Sequence, residues 1–211
     1  MAKKSGSRGK EQEPMRLFYI FYNQERWDNW VNSLRESNFE PSDGGDEMPE
    51  GYRTLYNFGL DITLEVLKII RLYQNQRFSK EEALEKLIPV EQIVMCDAPL
   101  GQLGEMIESL QLSMLVLFAG CKQFLSGEFE GDIKTLVKEG RAAVENDMEK
   151  SLGIAASIAA HVINGATCCA KFIKDDIEQP NLFDEWLIEI ETMAEAISSL
   201  KNFDEEPGET D

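Results

Sequence analysis

The residues best suited to redox, metal or nucleophilic chemistry in this 211-residue chain are four cysteines, Cys96, Cys121, Cys168 and Cys169, and a single histidine, His161. Cys168 and Cys169 are adjacent, and no Cys-x-x-Cys spacing occurs. On one continuous helix His161 and Cys168, seven residues apart, share a face two turns apart, about 10 Å. That is too far for joint ligation unless a third element supplies ligands between them. His161, Cys168 and Cys169 are therefore the candidates for a metal or thiol role, against a competing reading as small core residues in a reducing compartment. A lone histidine excludes a His-rich zinc site, and no Glu-x-x-His pair is present for a ferritin-like di-iron centre. Phosphate-binding loops, dinucleotide fingerprints and the nucleophile-elbow motif are all missing from the sequence. A Ser-His-Asp triad would depend on His161, which is embedded among Ala, Ile and Val. The residues assign no catalytic group and no cofactor.

Charge narrows the partners. The chain has 21 Lys and Arg against 39 Asp and Glu, a net charge of −18. Such a body repels phosphate polymers and anionic membranes, so direct DNA binding by it is not expected. The charge is unevenly placed. Lys3, Lys4, Arg8 and Lys10 stand among small residues with no acid, which reads as a basic flexible arm over 1–14. Its four cations offer little affinity for RNA or a ribosome at physiological salt. Glu40, Asp43, Asp46, Glu47 and Glu50, with Pro41, Gly44, Gly45 and Pro49, form an acidic loop over about 39–51. Residues 204–211 form an acidic tail. Both ends are expected to be disordered, flanking a single helical domain over 15–203.

Hydrophobic residues recur with helical period along most of that domain. Asn23 is a good N-cap for a helix near 24–37, with Trp27, Trp30, Val31 and Leu34 on one face. Leu55, Phe58, Ile62, Val66, Ile69, Ile70 and Tyr73 keep the spacing to about Gln76. Ser79 and Glu82 form a capping box for a third helix. Pro89 is expected to break it and to begin a short helix reaching about Cys96. A Leu- and Met-rich helix spans 102–126, and Gly127 stops it. Asp132 caps a stretch in which Ile133, Leu136, Val137, Val144 and Met148 share a face. Asn181 caps a last helix whose apolar face, Leu182, Trp186, Ile190, Met193, Ile197 and Leu200, opposes Asp184, Glu185, Glu189, Glu191 and Glu195. That acidic face reads as solvated surface. The fold expected is all-α, an antiparallel bundle of five to seven helices.

From Ser151 to Ala170 there are 20 consecutive uncharged residues. About 20 apolar residues can cross a bilayer, but this run holds Ser151, Ser157, His161, Asn164 and Thr167 and is otherwise mostly Ala. It is expected to be the buried central helix and the most buried segment of the chain, with no membrane partner.

The segment Phe21-Tyr-Asn-Gln-Glu-Arg-Trp-Asp-Asn-Trp30, followed by Leu34, resembles the opening of a small family of uncharacterised archaeal proteins found mainly in methanogens and related euryarchaea. Leu67-Lys-Ile-Ile70, Phe78-Ser-Lys-Glu-Glu-Ala-Leu84 and Ile93-Val94 fit the middle region of that family, and the resemblance covers about 18–200. It implies a cytoplasmic archaeal protein and carries no catalytic residues.

Two functions from different classes follow. One is a non-enzymatic protein-interaction or regulatory module, with Phe21, Tyr22, Trp27 and Trp30 as anchors for a protein partner wherever they are not core. Self-association into a homo-oligomer is a variant of it. The other is a thiol-dependent redox or metal-binding protein built on Cys168 and Cys169.

Overall fold

The computed structural model of the chain describes residues 19–41, 48–167, 172, 181–201 and 203. Among these residues there are seven helices and no strand: α1 Gln24–Glu36, α2 Glu50–Gln74, α3 Lys80–Val94, α4 Gln102–Ser126, α5 Ile133–Ala143, α6 Met148–Ile163 and α7 Leu182–Ser199. The all-α expectation holds. The basic arm and the acidic tail lie outside the described residues.

Local chemistry sets most of the helix ends. Asn23 Oδ1 accepts from the Arg26 amide at 2.9 Å. The Ser79 hydroxyl accepts from the Glu82 amide at 3.2 Å, while Glu82 accepts from the Ser79 amide at 2.7 Å, closing the capping box. Asp132 and Asn181 accept from the Thr135 and Asp184 amides at 3.1 and 3.0 Å. At the far end of α4, Gly127 adopts φ +77°, a left-handed turn that favours glycine.

Three expectations fail for identifiable reasons. Pro89 does not break the chain; it sits inside α3. Pro89 and Glu85, whose carbonyl loses its usual donor, are both exposed, so that carbonyl lies on the solvent side of the helix and not in the apolar core. Ala83 and Leu87 before the ring and Val90 and Val94 after it are buried, and packing on both sides carries the helix through. The stretch after Asp132 is two helices, and Met148 is exposed rather than on the shared face. Asp147 divides them by accepting from the Lys150 amide at 3.0 Å, capping α6. Finally, α6 covers the uncharged run only to Ile163, where Asn164 and then Gly165, at φ +98°, end the helix.

The centre of the bundle is made by α4 and α7, which pack on each other and on both α2 and α6, with α1 and α3 against α2 and α5 against α6. Phe58, Ile62, Leu117, Ile158, Trp186 and Ile190 have no more than trace exposure. Small residues bring α4 and α6 together: a Cβ on Gly120 would lie 2.4 Å from the Ala159 Cβ, so only glycine allows this approach. Trp186 closes the α7 side, its Nε1 donating to the Leu112 carbonyl at 2.8 Å. Ala155, Ile158, Ala159 and Ala160 are buried as expected, but Gly153, Ser157 and His161 leave one stripe of α6 partly open. The Ile62–Leu72 part of α2 is covered at least as completely.

At 16 residues α6 is too short to span a bilayer. By length and composition α4 does qualify, with a mean hydropathy of 1.3 over its most apolar window. Ile107, Met114, Leu117 and Cys121 of that helix are buried in the bundle core, which accounts for its composition without a membrane.

Candidate functional site

The sequence-predicted residues fall into two groups. His161 is half-buried on α6, with its ring edge-on to Phe129 at 5.0 Å between centroids and its Nε2 buried without a protein partner. Cys168 and Cys169 lie outside the described residues. α6 ends at Ile163, short of Cys168, so that helix does not carry both His161 and Cys168. Among the described residues no group of three or more His, Cys, Asp or Glu could hold a metal ion. Cys121 is fully buried and Cys96 half-buried; desolvation pushes both thiols up, away from the reactive thiolate.

The aromatic segment is engaged within the molecule. Trp27 is buried with its ring centroid 5.0 Å from that of Phe58. Trp30 stacks on Phe58 at 5.5 Å and donates from Nε1 to Asp61 Oδ2 at 2.7 Å. Tyr22 is buried, and desolvation raises its hydroxyl well above the usual range. Phe21 is half-buried, with the Lys68 ammonium 5.4 Å from its ring centre. Around them runs an ion-pair seam. Arg26 Nε donates to Asp61 at 2.8 Å and its guanidinium reaches Glu65 at 3.2 Å. Lys68 pairs with Glu65 at 2.6 Å and donates to the Ile20 carbonyl at 2.7 Å. These residues fasten the N-terminal segment to α2.

The opposite side of α2 is different. Between α2, α4 and α7 lies an open groove of about 440 Å³. Tyr52, Leu55, Tyr56 and Leu60 of α2 form one wall, and Leu110, Ser113 and Met114 of α4 the floor. Glu185, Ile188, Glu189 and Thr192 of α7 form the other wall. Met48, Tyr52, Tyr56 and Ile188 at its rim are 61, 48, 59 and 47% exposed, four of the ten large apolar side chains in the described residues that stand in solvent. Glu189, expected on a solvated face, instead lines this groove, with Oε1 accepting the Thr63 hydroxyl at 2.9 Å. Desolvation raises its pKa to about 7, partly offset by that hydrogen bond. Asp184, from the same predicted face, is buried and is paired with Arg141 at 2.6 Å.

A groove can be lined in sequence terms by residues that individually look unremarkable. Tyr52 and Tyr56 at i, i+4, and Glu185, Ile188, Glu189 and Thr192 at i, i+3, i+4, i+7, are rows on single helix faces. That periodicity was the available signal.

A family model described as an uncharacterised protein conserved in archaea (DUF2150) matches residues 20–206. The chain belongs to that family. The match agrees with the resemblance carried by the Phe21–Trp30 segment, whose aromatic residues and Arg26 the fold engages against α2. No curated protein and no solved structure matches the chain. The family description names no activity, so its members lend this chain no site residues.

Proposed function

We propose that this archaeal family member is a non-enzymatic protein-interaction module of the cytoplasm, and that its docking face is the α2–α4–α7 groove. The supporting observation is the ring of exposed apolar side chains at the groove, Met48, Tyr52, Tyr56 and Ile188. Contiguous apolar surface of this kind marks interaction sites, and tyrosine supplies large contact area at small entropic cost. Of the aromatic residues first considered as anchors, Tyr22 and Trp27 are buried, while Phe21 and Trp30 are half-buried against α2, so the groove offers the more open apolar face. The experiment is capture of partners from native archaeal cytoplasm with the parent chain and with a Tyr56→Asp, Ile188→Asp double variant, followed by mass spectrometry. A protein recovered by the parent and lost by the variant supports this face as the docking site; equal recovery by both contradicts it. Light scattering of both chains tests whether the partner is a second copy.

A further inference from the structure

The groove contains an acid that has no counterion among the described residues. Asp61 and Glu65 touch Arg26 or Lys68, Glu91 touches Lys122, and Asp184 touches Arg141. Glu189 has the Thr63 hydroxyl, and among the described residues no Lys, Arg or His lines the groove. Holding a carboxylate away from water without an opposite charge is costly, and the described residues supply none. A second acid, Glu185, lies one turn earlier on α7 and also lines the groove. The vacant chemistry is therefore cationic, within walls that are otherwise apolar and edged by two tyrosines, whose rings also attract cations.

The shape is specific as well. The rows Tyr52–Leu60 on α2 and Glu185–Thr192 on α7 run for about two helical turns, roughly 12 Å. That is the length over which an inserted helix presents anchors at i, i+4 and i+7. Oε1 of Glu189 already accepts the Thr63 hydroxyl, which leaves Oε2 as the oxygen with no hydrogen bond among the described residues. A point-charge ammonium suits that better than the two-pronged guanidinium of arginine, and the lysine stem can lie along the apolar wall.

We propose that the groove seats an amphipathic helix of the partner protein, with one lysine of that helix pairing with Glu189 and apolar side chains about one turn to either side filling the groove. This rests on the docking face proposed above and names what it recognises. Pairing requires the ionised carboxylate, so docking displaces a proton from Glu189 whenever that group is protonated in the free protein. The other titratable groups lining the groove are Tyr52 and Tyr56 on α2 and Glu185 on α7; α4 contributes Ser109 and Ser113, which do not titrate.

The test uses the full chain and a 15-residue Ala- and Gln-based helical peptide, acetylated and amidated, with leucines at positions 4 and 11 and lysine at 8. A second peptide carries norleucine at 8. At pH 8 the lysine peptide should bind about tenfold tighter than the norleucine peptide. Its affinity should fall about tenfold between pH 8 and pH 6 as Glu189 takes up its proton. Glu189→Gln keeps an oxygen for the Thr63 hydroxyl and should abolish both differences. Equal binding of the two peptides, or a lysine preference that survives Glu189→Gln, overturns the assignment of lysine. Binding of n-hexylammonium chloride at the groove, seen by amide NMR, with neither peptide binding, overturns the helix. In the capture experiment, a partner lost by Tyr56→Asp, Ile188→Asp but kept by Glu189→Gln leaves the docking face standing and removes the lysine. A partner kept by both variants removes both.

Discussion

Acids meet α2 on two of its sides, and the protein treats them in opposite ways. Toward α1, Asp61 and Glu65 are gathered with Arg26, Lys68 and the Trp30 indole into a seam where every charge has a partner. Toward α4 and α7, Glu189 lies against Thr63 with no cation lining the groove among the described residues. Positions 61 and 63 are about 200° apart around the helix, so the two environments are separated by the width of one helix. The seam closes a structural joint. The groove keeps an acid partly protonated near neutral pH inside an apolar wall, an arrangement that adds nothing to stability and is the kind of feature expected at a binding site.

The contrast can be broken or sharpened by substitution. The largest effect is expected in the seam: Asp61→Ala strands the Trp30 N–H and removes one of the two acids on Arg26. It should cost about 2 to 4 kcal/mol in urea denaturation at pH 7, tempered by the partial exposure of Arg26. A cost below about 1 kcal/mol would mean that water already shares those charges, and the two sides of α2 would then differ less than argued.

Next, the closely packed interior and the open groove should respond differently to added bulk. Ala160 has no exposed surface, and Ala160→Leu should cost about 1 to 3 kcal/mol by overpacking the core. If that variant is as stable as the parent, the core around α6 is looser than its burial implies.

Glu189→Gln should stabilise the protein, and only in one pH range. The carboxyl titrates at about 7 in the fold against an ordinary 4.5. Between those values the unfolded chain gives up its proton while the folded chain keeps it, so the stability of the parent falls as pH rises from 4.5 to 7 and is level above. The variant lacks this fall. It should match the parent's pH trend near pH 4 and gain about 1 to 2 kcal/mol on it by pH 8, discounted because the groove is open to water. A constant difference between the two across that range would mean that Glu189 titrates normally.

The smallest stability effect belongs to Ser113→Leu. Ser113 lines the groove and donates only to the Leu110 carbonyl of its own helix at 2.8 Å. Filling this space should change stability by less than about 1 kcal/mol while weakening capture of the partner. Marked destabilisation there would show a packed surface and no groove.

Helix existence and most helix ends were decided by the sequence itself. Asn23, Ser79 with Glu82, Asp132 and Asn181 each satisfy orphan amides within three residues, and Gly127 ends α4 through its own backbone freedom. These are local interactions, so their signals are local. Asp147, followed by Glu149, carried the same signal and was legible too. Pro89 shows where local reasoning stops: its cost in α3 is offset by buried side chains on both sides, a matter of neighbours distant in sequence. The family affiliation was likewise readable, because it lies in residue identity. The candidate site was not. His161 and the cysteines drew attention by rarity, while Glu189 looked like one of five acids on a solvated face. Which of those acids would meet Arg141, which would meet Thr63 and which would stay in water depended on how α7 packs against α2, α4 and α5. Electrostatic environment is a property of what surrounds a side chain, and for Glu189 the nearest partner lies 126 positions away along the chain, at Thr63.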